Sequence, residues 1–347
     1  MKLKYVLLFP ALLSPFAAAQ TQNLNMYLWE DTLSQRVIDQ WQQEHKATLT
    51  TSHFDNDDER SLLMLKGVQL PFDIVVLDNV SAQIYARQGS FIDLSDIPNR
   101  QHNASIWNQA CGTHAVPYFW GTVGYVYRKD KVTKPPQTWQ EFMHPPASLT
   151  QHIGMITDSV ETLLPSLYAQ GASPFTGSED KLKQAYEDLK PFNHNVLTYE
   201  YVLSYVRSHQ SAEELHMALA YSGDHYSLNR SFSGDKWAFA RPQGQAFIWV
   251  DCLAVSNHSQ NKSLAKSFIN FLLDPNIAAK NAIDIRAATP NLSALKLLPD
   301  YYVNDTSLFL SQDQIDHGLI DAELSNSNIG LRAKIINSII KRHEAKY

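Results

Sequence analysis

The chain has 347 residues, with 29 basic against 35 acidic side chains and a formal net charge of −6. That acidic balance, without a basic patch interleaved by aromatics, argues against nucleic-acid binding. The length suits two domains of ordinary size.

Met1 to Ala19 reads as an export signal: a basic end at Lys2 and Lys4, an apolar core from Tyr5 to Leu13, and a small-residue cleavage site at Ala17-Ala18-Ala19. Its apolar run is too short and too Pro-broken to anchor in a bilayer. No later stretch is long and apolar enough to span one, and no Cys near the cleavage site indicates a lipid anchor. The expected product has 328 residues, 27 basic against 35 acidic side chains, and a periplasmic address. That compartment permits a disulfide between the two cysteines, Cys111 and Cys252. Sequence leaves a bridge and two buried thiols equally open.

Asn23 to Glu30 reads as a first strand ending at Trp29, with Asp31 or Thr32 capping a helix that buries Val37, Ile38 and Trp41. A second strand is expected over Ala47–Thr51, a helix over Glu59–Lys66, and a near-continuous apolar strand over Phe72–Leu77. Asp78 and Asn79 then open a helix running to Gly89. This β-α-β-α-β order implies a parallel sheet with ligand-facing loops at the strand C-ends. Trp29, Glu30, Asp31 and Asp78 all sit at such ends.

Ala115 to Tyr127 is a long β-rich segment, and the Pro-marked stretch Lys131–Pro136 has the composition of a linker. Thr138-Trp-Gln-Glu141 resembles a capping box. A strand over Ile153–Asp158, helices over Ser159–Gln170, Asp180–Lys190 and much of Tyr199–Glu214, and a strand over Met217–Tyr221 form a second α/β unit. Ser222-Gly-Asp224 is its strand-to-helix turn.

Phe247 to Val255 is apolar except for Asp251, which shares a strand face with Trp249. A carboxylate there costs several kcal/mol unless a partner offsets it. Two partners fit: an Arg or Lys of the chain, or an amine ligand lying against Trp249. Ser263–Leu273 is helical and broken by Asp274-Pro275, and Asn328–Glu344 is a final amphipathic helix. The chain thus builds one unit, crosses over and returns. The expected fold is α/β with two lobes around a cleft: residues 20–130 and about 253–298 in one lobe, about 131–252 and 299–347 in the other.

Six stretches together resemble the periplasmic spermidine/putrescine-binding proteins: Met26-Tyr-Leu-Trp-Glu-Asp31, Val116-Pro-Tyr-Phe-Trp-Gly-Thr-Val-Gly124, Ala220-Tyr-Ser-Gly-Asp224, Phe247-Ile-Trp-Val-Asp-Cys-Leu-Ala254, Phe268-Ile-Asn-Phe-Leu-Leu-Asp-Pro275 and Ala288-Thr-Pro-Asn-Leu292. The resemblance implies a type II solute-binding fold that closes on its ligand, with no catalytic residues, cofactor or metal. It places Trp29 and Trp249 on the polyamine, and Asp31, Asp251 and Asp224 at its nitrogens. Glu161 matches a family carboxylate, with Asp158 competing for the position, and Tyr221 replaces a family Trp. Asp78 stands where a small hydroxyl is common, and it equally reads as a helix cap. Val80 and Ala287 stand where the family places Tyr. Glu30 and Thr198 lie near contact positions but also read as ordinary surface and loop residues.

The altered pocket looks like the norspermidine-sensor branch, whose members report polyamine to the periplasmic domain of a membrane-bound GGDEF/EAL-type enzyme of cyclic-di-GMP. The permease of an ABC importer is the alternative partner, and a monomer is expected. Two charge-assisted hydrogen bonds, one cation–π contact and six buried methylenes give roughly 8–13 kcal/mol before costs, against the roughly 8 kcal/mol of micromolar binding. An exported hydrolase using paired carboxylates is the rival class. No G-x-S-x-G, H-E-x-x-H or C-x-x-C motif supports it, and His194, His209 and His216 form no evident ligand cluster.

Overall fold

The computed structural model describes residues 22–54, 60, 64, 71–232 and 234–345. The export-signal segment and most of the predicted helix Glu59–Lys66 lie outside them. The described strands are β1 Asn23–Trp29, β2 Thr48–Phe54, β3 Ile74–Asp78, β4 Ala115–Arg128, β5 Ile153–Gly154, β6 Val196–Thr198, β7 Met217–Tyr221, β8 Trp237–Ala240, β9 Phe247–Val255 and β10 Leu319–Ile320.

In the first lobe, β1 pairs in parallel with β2 and β3, as the alternating helices require. Residue alternation splits its core between two sheet faces. Leu24, Met26, Ile74, Val76, Leu253 and Val255 pack on Trp41 and Phe268. Tyr27, Val75, Leu77, Cys252 and Ala254 pack on Phe54 and Trp107.

Two long strands join the lobes. β9 runs antiparallel to β3, and β4 runs antiparallel to β9, with a register shift between Pro117 and Phe119. Proline lacks the N–H that a regular ladder needs there. The far half of β4 then pairs with β7 and β8 in the second lobe, and β5 lies in parallel between β7 and β6. The order β2-β1-β3-β9-β4-β7-β5-β6 therefore crosses both lobes, with β8 on β4 and β10 on β9. The second-lobe core gathers Tyr125, Met217 and Leu219 with Leu182, Leu189, Ile335 and Ile339. The C-terminal helix Asn326–Glu344 supplies the last two. Tyr302 and Leu308, drawn into the second lobe by the sequence reading, pack in the first-lobe core. This architecture is the two-lobed α/β arrangement expected from sequence.

Several elements are shorter than predicted. The strand over Ile153–Asp158 pairs only at Ile153–Gly154, and the next helix begins at Leu164. Between them the Asp158 carboxylate accepts from the Val160 amide at 2.7 Å, and the Thr162 hydroxyl donates to the Asp158 carbonyl at 2.6 Å. These bonds offer the backbone a turn in place of the helix. Tyr199–Glu214 resolves into a helix, Val202–Ser208, and a 3-10 turn, Gln210–Glu214. Thr138 caps its helix at the Glu141 amide, but Glu141 accepts from the Gln137 amide rather than from Thr138, so the box is incomplete.

Cys111, ending the helix Ser105–Cys111, is bridged to Cys252 of β9 across 141 residues of sequence, with Cα atoms 5.7 Å apart. The alternative of two buried thiols is set aside. Closing so long a loop restricts the unfolded chain. The Cys111→Ala/Cys252→Ala double variant should lose about 2–5 kcal/mol of unfolding free energy in denaturant titrations. Equal stability of the variant and the oxidised parent would contradict that role.

Candidate functional site

β3 and β4 flank β9, so its polar residue is buried: Asp251 is 9% exposed. It stands directly opposite Asp78 of β3. Like charges in that position repel. The structure relieves the repulsion from the Asp78 side. One Asp78 oxygen accepts from the Arg60 guanidinium at 2.7 Å, and the other accepts from the Ser81 amide at 2.7 Å as the N-cap of helix Asn79–Arg87. Asp78 lines the cleft, but its oxygens serve the cap and the buried Arg60. Arg60 gave no sequence signal, because its pairing with Asp78 is a tertiary side-chain contact.

Trp249 lies against β4 at Gly121, its register partner. A Cβ on Gly121 would collide with the Trp249 indole and the Ser222 hydroxyl, so glycine is required for this close approach. From Trp249 an aromatic wall runs across the lobes. Tyr221 meets Trp249 edge-on at 5.9 Å, Tyr201 follows Tyr221 at 5.8 Å, and Trp29 follows Tyr201 at 6.3 Å. Tyr201 was hidden by the over-long helix predicted around it.

Two buried acids face this wall from the second lobe. Gly223, at φ 101°, turns the chain so that Asp224 opens the helix Asp224–Ser231. The Asp224 carboxylate accepts from the Tyr221 amide at 2.8 Å and the Tyr201 hydroxyl at 2.7 Å. Burial nevertheless pushes its pKa up to about 7. Glu161 is 9% exposed at the end of the turn organised by Asp158, and the Tyr221 hydroxyl donates to it at 3.5 Å. Burial, then the neighbouring Asp158 carboxylate, holds Glu161 well above the usual carboxylate range. Both Asp158 and Glu161 line the cleft. Thr198 lies outside the lining, and its hydroxyl accepts from the Glu200 amide at 3.0 Å in a local turn.

At the mouth, Glu30 and Asp31 are both paired with Arg207 of the opposite lobe, Asp31 at 2.5 Å. The cleft encloses about 390 Å³, and among the described residues nine carboxylate side chains line it: Glu30, Asp31, Asp78, Asp158, Glu161, Asp224, Asp251, Asp321 and Glu323. Among the described residues Arg207 and Arg286 are the cations of that lining, which also includes Val80 and Ala287. Asp321 was not anticipated, because it is brought in by the two-residue pairing of β10 with β9. A second cavity of about 480 Å³, around Tyr168, Phe239 and Arg241, has no carboxylate among the described residues of its lining. The acid-lined cleft, with its fixed aromatic surfaces, is the one built for an organic cation.

Away from the cleft, His152, Glu214 and His216 bring potential metal-ligand atoms within 4.8 Å of one another. Their imidazoles are stacked at 3.9 Å, and the Nδ1 of His152 is 2.6 Å from the Glu214 carbonyl. Burial, then His152, lowers the His216 pKa to about 4, so His216 is neutral at neutral pH. Sequence reading missed this grouping because His152 is remote in the chain. Among the described residues no helix is long and apolar enough to cross a membrane.

The family model of the bacterial extracellular solute-binding proteins matches residues 36–309, and the chain belongs to that family. The chain is 54% identical over 328 residues to the norspermidine sensor of Vibrio cholerae, covering 94% of this chain and 91% of that one. It is 26% identical over 321 residues to the putrescine-binding periplasmic protein SpuD of Pseudomonas aeruginosa, covering 85% and 86%. Two solved structures share the fold. The spermidine/putrescine transporter substrate-binding protein PotD of Streptococcus pneumoniae superposes with TM-score 0.77 at 19% identity, covering 93% of this chain and 100% of that one. The TpPotD lipoprotein of Treponema pallidum superposes with TM-score 0.75 at 19% identity, covering 92% and 99%.

The fit of Trp249 over Gly121 is directly testable. Gly121→Ala should cost about 1–3 kcal/mol of stability through overpacking, measured by denaturant unfolding with tryptophan fluorescence. Wild-type stability and an unchanged emission spectrum would argue against the contact.

Proposed function

We propose that the protein binds a polyamine of the norspermidine/spermidine class in the periplasm and closes its lobes upon it. The observation that carries this reading is the placement of Asp251 and Trp249, side by side on one strand, in a cleft that both lobes line with acids and rings. A polyamine is a flexible alkyl chain with ammonium groups at intervals. Asp251, Asp224 and Glu161 offer anionic ends for those ammoniums, and Trp29, Tyr221 and Trp249 offer flat apolar surface for the methylenes. Asp158 adds negative field beside them. A ligand touching both lobes favours the closed population by its differential affinity for that state.

The names of the relatives support the same ligand class, and similarity to a norspermidine sensor favours signalling over import. In this reading the closed surface engages the periplasmic domain of a membrane-bound GGDEF/EAL-type enzyme. The permease of an ABC importer is the second reading, favoured by the fold shared with the spermidine/putrescine transporter substrate-binding protein PotD. Co-purification of the polyamine-loaded protein with a sensor ectodomain, and not with a permease, is the outcome expected of the sensor.

Calorimetric titration with norspermidine, spermidine and putrescine tests the ligand. Asp251→Asn should weaken binding by about 1.5–3 kcal/mol, the scale of one charge-assisted hydrogen bond; wild-type affinity in that variant would sink the reading.

Proton linkage gives a second test. In the free protein Asp224 holds its proton up to about pH 7. Its folded pKa is raised, so its contribution favours the ligand-free fold in acid and is lost as pH climbs from about 4 to about 7. An arriving ammonium favours the ionised carboxylate, so binding expels the proton. Polyamine affinity should therefore rise from pH 5.5 to pH 8, with proton release in calorimetry across buffers of different ionisation enthalpy. Affinity independent of pH would exclude Asp224 and Glu161 from ligand contact.

A further inference from the structure

The pairing at the cleft mouth joins residues 176 positions apart and spans the two lobes. Arg207 projects from the helix Val202–Ser208, anchored by buried Leu203 and Tyr205. Its guanidinium forks between Glu30 and Asp31, just beyond Trp29 at the end of β1. Asp31 is held in the left-handed region at φ 60°, which non-glycine residues seldom adopt. The turn that holds it is itself fixed. The Thr32 hydroxyl donates to the Trp29 carbonyl at 2.7 Å, and the buried Tyr118 hydroxyl donates to the Thr32 carbonyl at 2.6 Å. The scaffold thus aims Asp31 across the cleft, and what it meets is a cation of this chain.

We propose that Arg207 is a specificity-determining residue: a built-in cation that takes the place of a terminal ammonium at Glu30 and Asp31 and limits how far a polyamine extends past Trp29. This rests on the polyamine reading above and departs from the sequence expectation that Asp31 holds ligand. An ammonium approaching Asp31 meets a like charge, and displacing the guanidinium only exchanges one cation for another. The field of Arg207 also reaches Asp224, whose carboxyl it draws downward against the effect of burial. The acids deeper in the cleft are Asp224, Asp251 and Glu161. Two or three ammoniums match them, and a fourth would abut Arg207.

Removing the guanidinium releases two carboxylates at the mouth and lengthens the slot. Calorimetric titration of the mature protein and its Arg207→Ala and Arg207→Lys variants with putrescine, spermidine and spermine reads the consequence. In Arg207→Ala the affinity for spermine relative to spermidine should rise at least about tenfold, the scale of one added charge-assisted contact. Arg207→Lys, which keeps the charge, should hold the wild-type ratio. An unchanged ratio in Arg207→Ala would overturn the proposal, including the case in which all three affinities shift by one factor, because Arg207 would then be only a strut between lobes. A wild-type protein that binds none of the three amines would instead overturn the polyamine reading itself, and the role of Arg207 with it.

Discussion

A carboxylate in the middle of a buried strand must be offset by hydrogen bonds or by cations, and the strand that carries Asp251 joins the two lobes. Much of the cleft can be understood from that constraint. β3 brings Asp78 opposite, and Arg60 neutralises it. β4 brings Gly121 against the Trp249 indole, two residues before the acid on the same strand. β10 brings Asp321 to the same edge. The result concentrates negative charge where one strand is shared, so a cation drawn there touches both lobes at once.

The acids are not equivalent, and their environments sort them. Asp78 is committed to a helix cap and a buried arginine. Glu30 and Asp31 are committed to Arg207 at the rim. Asp224 and Glu161 are held toward the neutral form by burial, which keeps the ligand-free cleft from accumulating uncompensated charge. Protonation of Asp224 and Glu161 and internal ion pairs at the periphery are two separate ways of keeping a polyanionic cavity stable until a polycation arrives.

Much of the fold was legible in the chain because periodicity is local. The apolar runs of β1, β3, β7 and β9 announce themselves, and the helical spacers after β1 and β2 fit the parallel pairing of β1 with β2 and β3, whereas β9 joins β3 and β4 antiparallel. Trp29, Tyr221, Asp224, Trp249 and Asp251 stand at strand ends or within a marked strand, and the structure brings all five to one cleft. What stayed hidden depends on tertiary register. Arg60, Arg207, Tyr201 and Asp321 reach the site through tertiary contacts, and nothing in their local sequence marks them. The helix predicted over Ser159–Gln170 failed at its start for a related reason: Asp158 and Thr162 bond to nearby backbone and form the turn that presents Glu161. Thr198, near a contact position in the family resemblance and equally a loop residue, has its hydroxyl accepting from the Glu200 amide in a local turn.

The most direct test of the central claim is a crystal structure of the protein grown with spermidine. The account predicts an ammonium nitrogen within hydrogen-bonding distance of the Asp251 carboxylate, methylenes lying along the Trp249 ring, and both lobes in contact with the ligand. A bound polyamine whose nitrogens all lie away from Asp251, or which touches one lobe only, would contradict it.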